Sequence, residues 1–214
     1  LQEEGFTKID TFHSKRHSSD RQTIQQKFFR GEINILLATS AFGMGINQSN
    51  IRTIIHYQLP QTLEDYVQQI GRAGRDLQFS RCIALIHSDD FPQMRRKIER
   101  SYEVDDEEET ELHQNIKEIA KTFRWNNNQT SAFIKKQRER KLKQAERIEE
   151  FATTTLCKEQ YLAHFFGEKR KASCGKCSSC RHLDLFLMGI SSKWNEVENS
   201  KNSFEESFKK LFNL

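Results

Sequence analysis

The sequence predicts an α/β lobe followed by a mainly helical region that carries a cysteine cluster. Three observations support this. Short β-branched runs alternate with helical stripes as far as Phe91, the strand pattern stops at Pro92, and four of the five cysteines gather between Cys157 and Cys180. Strands that alternate with helices imply parallel βαβ units, whose ligands collect at the strand carboxyl ends. The expected division is residues 1–91 for the lobe, 92–182 for the helical region and 183–214 for an amphipathic tail.

Leu1 to Gly5 reads as a helix end stopped by glycine, and the chain lacks an initiator Met. It therefore reads as a fragment whose lobe is incomplete at its N-terminus. Phe6–Phe12 alternates like a strand. Ser18-Ser19-Asp20 offers a cap for a helix whose apolar stripe is Ile24, Phe28 and Phe29, and Gly31 ends it. Ile33–Ala38 is a buried-strand pattern, and Ile51–Tyr57 is a second one closed by Pro60. Residues 62–70 place Leu63, Tyr66, Val67 and Ile70 on one helical face, and Arg81–Ile86 forms the next strand.

Beyond Pro92 the register is helical and heavily charged. Glu103–Glu111 is acidic, whereas Lys135–Arg147 carries seven basic side chains against two acidic ones. Both read as solvated helix faces, with a DNA backbone contact as the functional alternative for the basic run. Trp125-Asn126-Asn127-Asn128-Gln129 breaks the helical pattern, and the tail beyond Cys180 shows no catalytic residues.

A hydrophobic content of 36% against 30% charged implies a limited core and long solvated helices. A net charge of +4 is compatible with nucleic acid without establishing it. No apolar run approaches the roughly 18 residues that span a bilayer, and no secretory signal pattern is present. The expectation is a soluble intracellular protein without a membrane partner.

Two glycine-bearing segments carry the chemistry. Thr39-Ser40-Ala41-Phe42-Gly43-Met44-Gly45-Ile46-Asn47 follows a strand, and Gln68-Gln69-Ile70-Gly71-Arg72-Ala73-Gly74-Arg75-Asp76 follows a helix. Glycine lets backbone approach a ligand or adopt positive φ. Two arginines on a turn, taken alone, fit a surface ion pair better than a site. Together with the first segment they point to phosphate chemistry. Phe42 and Met44 read as packing residues, and His56 as a satisfied core histidine.

These segments, ATSAFGMGIN and QQIGRAGRD, resemble motifs V and VI of the RecQ-type DNA helicases of superfamily two, and the resemblance runs from about Gly5 to Cys180. It implies a RecA-like lobe in which Arg75 is the arginine finger, Arg72 steadies the phosphates and Gln68 orients water or neighbouring groups. Gly43 and Gly45 would lie at the nucleotide, and Thr39 and Ser40 at the phosphates of the tracked strand. His13 and Arg21 fall in an earlier motif region. There the family's histidine-alanine-glycine-leucine reads His13-Ser14-Lys15-Arg16. Asn47 replaces an aspartate and Gln69 a glutamate, each removing a charge. The family's partners are single-stranded and duplex DNA. ATP and Mg²⁺ are held together with a first RecA-like lobe, because this sequence has neither G-x-x-x-x-G-K-[ST] nor Asp-Glu-x-His. The resemblance therefore implies 3′ to 5′ motion in the whole protein, no ATPase turnover by this chain alone, and, in a bacterium, a cytoplasmic nucleoid-associated location.

Cys157, Cys174, Cys177 and Cys180 have the spacing C-x16-C-x2-C-x2-C. Thiolates at this spacing can surround one zinc ion, or hold an iron–sulfur cluster. Phe165-Phe166-Gly167-Glu168 resembles the tyrosine-phenylalanine-glycine-glutamate of the RecQ zinc subdomain, which implies a closed structural zinc site. Cys82 reads as a small hydrophobe in a strand. Two other functions remain open: a non-enzymatic, zinc-stabilised nucleic-acid-binding module, and an RNA helicase lobe.

Overall fold

The computed structural model describes residues 8–39, 42, 48–103 and 111–181. It divides into two compact units, Leu1–His56 with Asp65–Ala84, and Tyr57–Glu64 with Leu85–Leu214.

In the first unit β1 (Ile9–Phe12) pairs in parallel with β2 (Ile35–Ala38), and α1 (Ser18–Phe29) is the crossover. In the same way β3 (Thr53–His56) pairs in parallel with β4 (Arg81–Ala84), with α2 (Leu63–Ile70) between them. The expected βαβ architecture is present as two parallel pairs. Phe12, Ile24 and Ile33 form the buried core, with Phe28, Leu36 and Phe42 packed against it. The Phe42 ring lies edge-on to Phe12 at 4.9 Å and to Phe28 at 5.9 Å, so it packs as its type predicts. The start of α1 differs from the expected cap. His17 occupies the cap position with no side-chain bond, while Ser18 is already helical and Asp20 faces the positive end of the helix dipole. Gly31, at φ +73°, closes the helix as expected.

The second unit is helical: α3 (Asp90–Ser101), α4 (Glu111–Thr122), α5 (Asn127–Thr153) and α6 (Lys158–Phe165), followed by a 3₁₀ turn at Ser179–Arg181. Phe91 and Ile98 of α3 and Ala145, Ile148 and Phe151 of α5 are buried, and α3 packs on α5 with an Arg95–Glu149 ion pair beside the seam. The break before α5 is a capping box. The Asn126 side chain accepts the Gln129 amide at 2.9 Å, and the Gln129 side chain accepts the Asn126 amide at 2.9 Å. At the other end Lys158 Nζ donates to the carbonyls of Phe151, Ala152 and Thr154 at 2.8–2.9 Å. One ammonium thus satisfies three carbonyls at the negative end of a 27-residue helix. The basic side chains of 135–147 lie along α5, nearly all exposed. Among the described residues no helix is long and apolar enough to cross a membrane.

Candidate functional site

The glycine-arginine turn is built from the last turn of α2 outward. The amides of Gly71, Arg72 and Ala73 donate to Val67, Gln69 and Ile70 at 2.9–3.2 Å, continuing the helical path for three residues. Gly74 breaks it at φ +63°, and its amide crosses to the Ile51 carbonyl at 2.9 Å. The Asp76 amide reaches Ser49 O at 3.3 Å. The Asp76 carboxylate grips the Arg52 guanidinium with both oxygens and accepts the Gln78 amide at 3.1 Å. Its hydrogen bonds to Arg52 hold Asp76 down to about 2.

Arg75 lies between these anchors, exposed, with Nε donating to Gly71 O at 3.2 Å. Arg72 is half-buried. Burial and then the charge of Arg75 lower its pKa, so two cations sit side by side on a fixed turn. Gln68 is exposed on α2. Gln69 points instead to buried His56, whose Nε2 lies 2.9 Å from Gln69 Oε1. Burial lowers the His56 pKa, so the imidazole is neutral and Nε2–H donates to the amide oxygen. His56 is thus the core histidine that the sequence implies but only half satisfied, since Nε2 is bonded while Nδ1 is buried without a partner, and the Gln69 position holds a neutral hydrogen bond.

The placement of the turn is a correction. Both segments were expected at the strand carboxyl ends. The arginine turn instead bonds to residues 49–52, which lead into β3, and so lies at the amino ends of β3 and β4. The cause is the crossover: α2 runs back against β3, so residues after its last turn return to the starting edge. The first segment does leave from a carboxyl end, directly after β2, with the Thr39 amide on Phe12 O at 3.1 Å. Because Phe12 and Ala38 are register partners, His13 and exposed Thr39 emerge at the same edge. Arg21 is half-buried in the first turn of α1. Ser40, Gly43 and Gly45 lie outside the described residues, as do Met44 and Asn47. Arg16, one of the two cations gained in the loop after β1, is tied to that strand through Asp10 Oδ1 at 3.1 Å and Thr11 Oγ1 at 2.6 Å.

In the helical unit the Sγ atoms of Cys157, Cys174, Cys177 and Cys180 lie within 4.8 Å of one another. A tetrahedral zinc with Zn–S bonds of about 2.3 Å requires sulfurs roughly 3.8 Å apart, so the residues fit a zinc ion with little adjustment. Cys157 caps α6, and Gly175, at φ +68°, lets the 174–177 turn fold around the sulfurs. Three backbone amides already point at sulfur: Cys174 at Cys157, Cys177 at Cys174, and Lys158 at Cys177, at 3.3–3.4 Å. Burial pushes the Cys157 thiol up, but amide donors from Cys174 and Gln160 and the neighbouring thiols bring it down to about 6. Such donors favour the thiolate form that binds metal. Cys82, expected to be packed, is instead exposed on β4.

Comparison with known proteins agrees with this pairing of lobe and cysteine module. Residues 1–76 match the family described as helicase conserved C-terminal domain, and residues 122–181 match RecQ zinc-binding. The chain thus matches the C-terminal part of the RecQ-type helicases. The ATP-dependent DNA helicase RecQ of Bacillus subtilis is 32% identical over 79% of this chain and 23% of its own length. The RecQ of Haemophilus influenzae is 28% identical over 79% of this chain and 22% of its own. A protein of Acanthamoeba polyphaga mimivirus, provisionally named an ATP-dependent RNA helicase, is 30% identical over 89% of this chain and 29% of its own. The chain thus spans less than a third of the length of these relatives.

Sequence reasoning missed three residues that shape these sites. Arg52 lies 24 positions from the aspartate it grips, and Lys158 caps a helix that ends before it. Arg16 interrupts a family motif yet anchors its own loop. Only the helix break at Trp125–Gln129 was legible as a local signal.

Proposed function

We propose that this chain is the trailing half of an ATP-dependent DNA helicase that moves 3′ to 5′, comprising a second RecA-like lobe and a structural zinc module. The supporting observation is the arginine turn, where Gly74 and the Arg52–Asp76 pair fix the backbone on either side of exposed Arg75. A rigid guanidinium presented to a transferring phosphoryl group accelerates hydrolysis by about 10³–10⁵ in related systems. Arg75 takes that role, Arg72 holds the phosphates, and Gln68 orients water or neighbouring groups. Gly43 and Gly45 border the nucleotide. Thr39, Ser40, His13 and Arg21 contact the backbone of single-stranded DNA, a salt-dependent and sequence-blind interaction. ATP and Mg²⁺ bind with the first lobe, and duplex DNA is the substrate. The domain boundaries follow the sequence reading, 1–91 and 92–182. Zinc, when bound, ties the start of α6 to the 174–181 turn.

The test compares this chain with a protein carrying both lobes, each assayed with and without single-stranded DNA. The two-lobe protein hydrolyses ATP in response to DNA and unwinds a duplex, while the chain alone does neither. DNA-stimulated hydrolysis by the chain alone contradicts the reading. The mimivirus relative supports a second reading, an RNA helicase lobe. Unwinding of RNA duplexes in preference to DNA duplexes would establish it.

A further inference from the structure

The thiols of the cysteine cluster come from two segments. Cys157 caps α6, while Cys174, Cys177 and Cys180 lie on a turn that starts after sixteen intervening residues. Closing that loop costs conformational entropy whether or not a metal arrives. The first turn of α6 carries the groups that hold it closed. The Glu159 carboxylate accepts from Arg170 Nη1 through Oε2 and pairs with Lys176 Nζ at 3.1 Å through Oε1. Arg170 lies four positions before Cys174, and Lys176 sits between Cys174 and Cys177. One carboxylate therefore grips the chain on both sides of the first thiol of the turn. Gln160 Nε2 donates to the carbonyls of Arg170 and Lys171, each at 3.2 Å, and the Gln160 amide donates to Cys157. The Glu159 side chain is 28% exposed, against 54% for Arg170 and 74% for Lys176, so the carboxylate is the fixed partner and the cations reach in to it.

We propose that Glu159 is a positioning residue for the metal: its two ion pairs keep the 174–180 turn on α6 in the metal-free chain, so that the thiols are gathered before zinc binds. The proposal rests on the zinc reading of the cluster. A carboxylate has a second effect, of opposite sign. Four thiolates around one divalent ion carry net negative charge, which a nearby carboxylate repels. If repulsion governs, neutralising Glu159 tightens zinc binding; if gathering governs, it weakens it. The geometry favours gathering, because both oxygens are already matched by cations that cancel most of the carboxylate's field at the sulfurs. A turn closed for only a fraction of the time loses apparent affinity in proportion to that fraction. Direct hydrogen bonds to metal ligands are worth about 10–100-fold in affinity. The pairs of Glu159 act one step removed and are partly exposed, so a smaller effect of about fivefold is expected.

The experiment measures the affinity of the whole chain for zinc by competition with a chromophoric chelator, at low and at high salt. Glu159→Gln, which keeps the shape and loses the charge, weakens zinc binding about fivefold at low salt. High salt screens the ion pairs, so it weakens the parent and closes the gap to the variant. The exchange of Glu159→Arg with Arg170→Glu re-forms one pair and recovers part of the loss, which neither single substitution does. Glu139→Gln, exposed on α5, leaves the affinity unchanged. In the metal-free chain, amide hydrogen exchange over residues 170–177 is faster in Glu159→Gln than in the parent, and the two are equal once zinc is bound. An affinity of Glu159→Gln within about twofold of the parent, or tighter, overturns the proposal. So does a loss that the double exchange fails to reduce. Either result in a chain that still takes up one zinc removes the clamp alone. A chain that takes up no zinc removes the metal reading and the clamp with it.

Discussion

His56 and Gln69 show how one neutral hydrogen bond sets a local pH response. Burial depresses the imidazole pKa, so its contribution to stability is full above the unfolded value of about 6.5 and is lost as pH falls below it. A carboxylate at position 69 would favour the imidazolium. Gln69→Glu is therefore expected to raise the His56 pKa and to shrink the loss of stability between about pH 7.5 and about pH 5.5, read from urea midpoints at each pH. Gly74 governs a second local event. A Cβ there would lie 2.5 Å from Ser80 Oγ and 3.0 Å from Gln78 O, at φ +63°. Gly74→Ala is expected to destabilise the lobe by about 1–3 kcal/mol in urea unfolding and to displace Arg75 with the turn. The clash was not legible beforehand. The sequence announces a glycine beside two arginines, but Ser80 meets it only because the chain doubles back after Leu77.

At the scale of elements, the four described strands and helices α1 and α2 lie where the apolar runs and stripes put them, because each short run has few other ways to be buried, whereas beyond Pro92 the sequence indicates helix without marking where α3 to α6 begin and end. Which end of a sheet a turn occupies is a different matter. Helix α2 begins near the point where β3 ends, and its eight residues carry the arginine turn back to the start of β3. Periodicity alone does not report that return. The junction of α5 and α6 was equally hidden. Lys158 lies five positions past the end of α5 and yet closes it, which depends on the path through Thr154 and Leu156. Lys158→Met keeps the stem and removes the ammonium. It is expected to lower stability by about 1–3 kcal/mol, measured by thermal unfolding, with early fraying of the last turn of α5 seen in hydrogen exchange.

Across the whole molecule, a chain with 36% hydrophobic residues has little core to spare, and in the helical unit a metal can supply part of what packing does not. Four thiols are gathered in the helical unit, and the fifth, Cys82, belongs to the other unit. One zinc per colourless chain is expected. A brown protein absorbing near 400 nm, roughly where sulfur-to-iron bands lie, would indicate a cluster instead. Cys82→Ser keeps the full zinc content, Cys177→Ser does not, and a chelator lowers the melting midpoint of the parent. Metal analysis and calorimetry check all three. The sulfurs were legible from spacing alone, whereas the amide donors that surround them depend on backbone turns that spacing does not specify.

The central claim is that Arg75 meets the phosphates of a nucleotide held by another lobe. Its most direct test is Arg75→Ala in the two-lobe protein, with ATP affinity and DNA-stimulated turnover measured side by side. The account predicts turnover lower by about 10³-fold or more with ATP and DNA affinity within a few-fold of the parent. Turnover within a few-fold of the parent would contradict it.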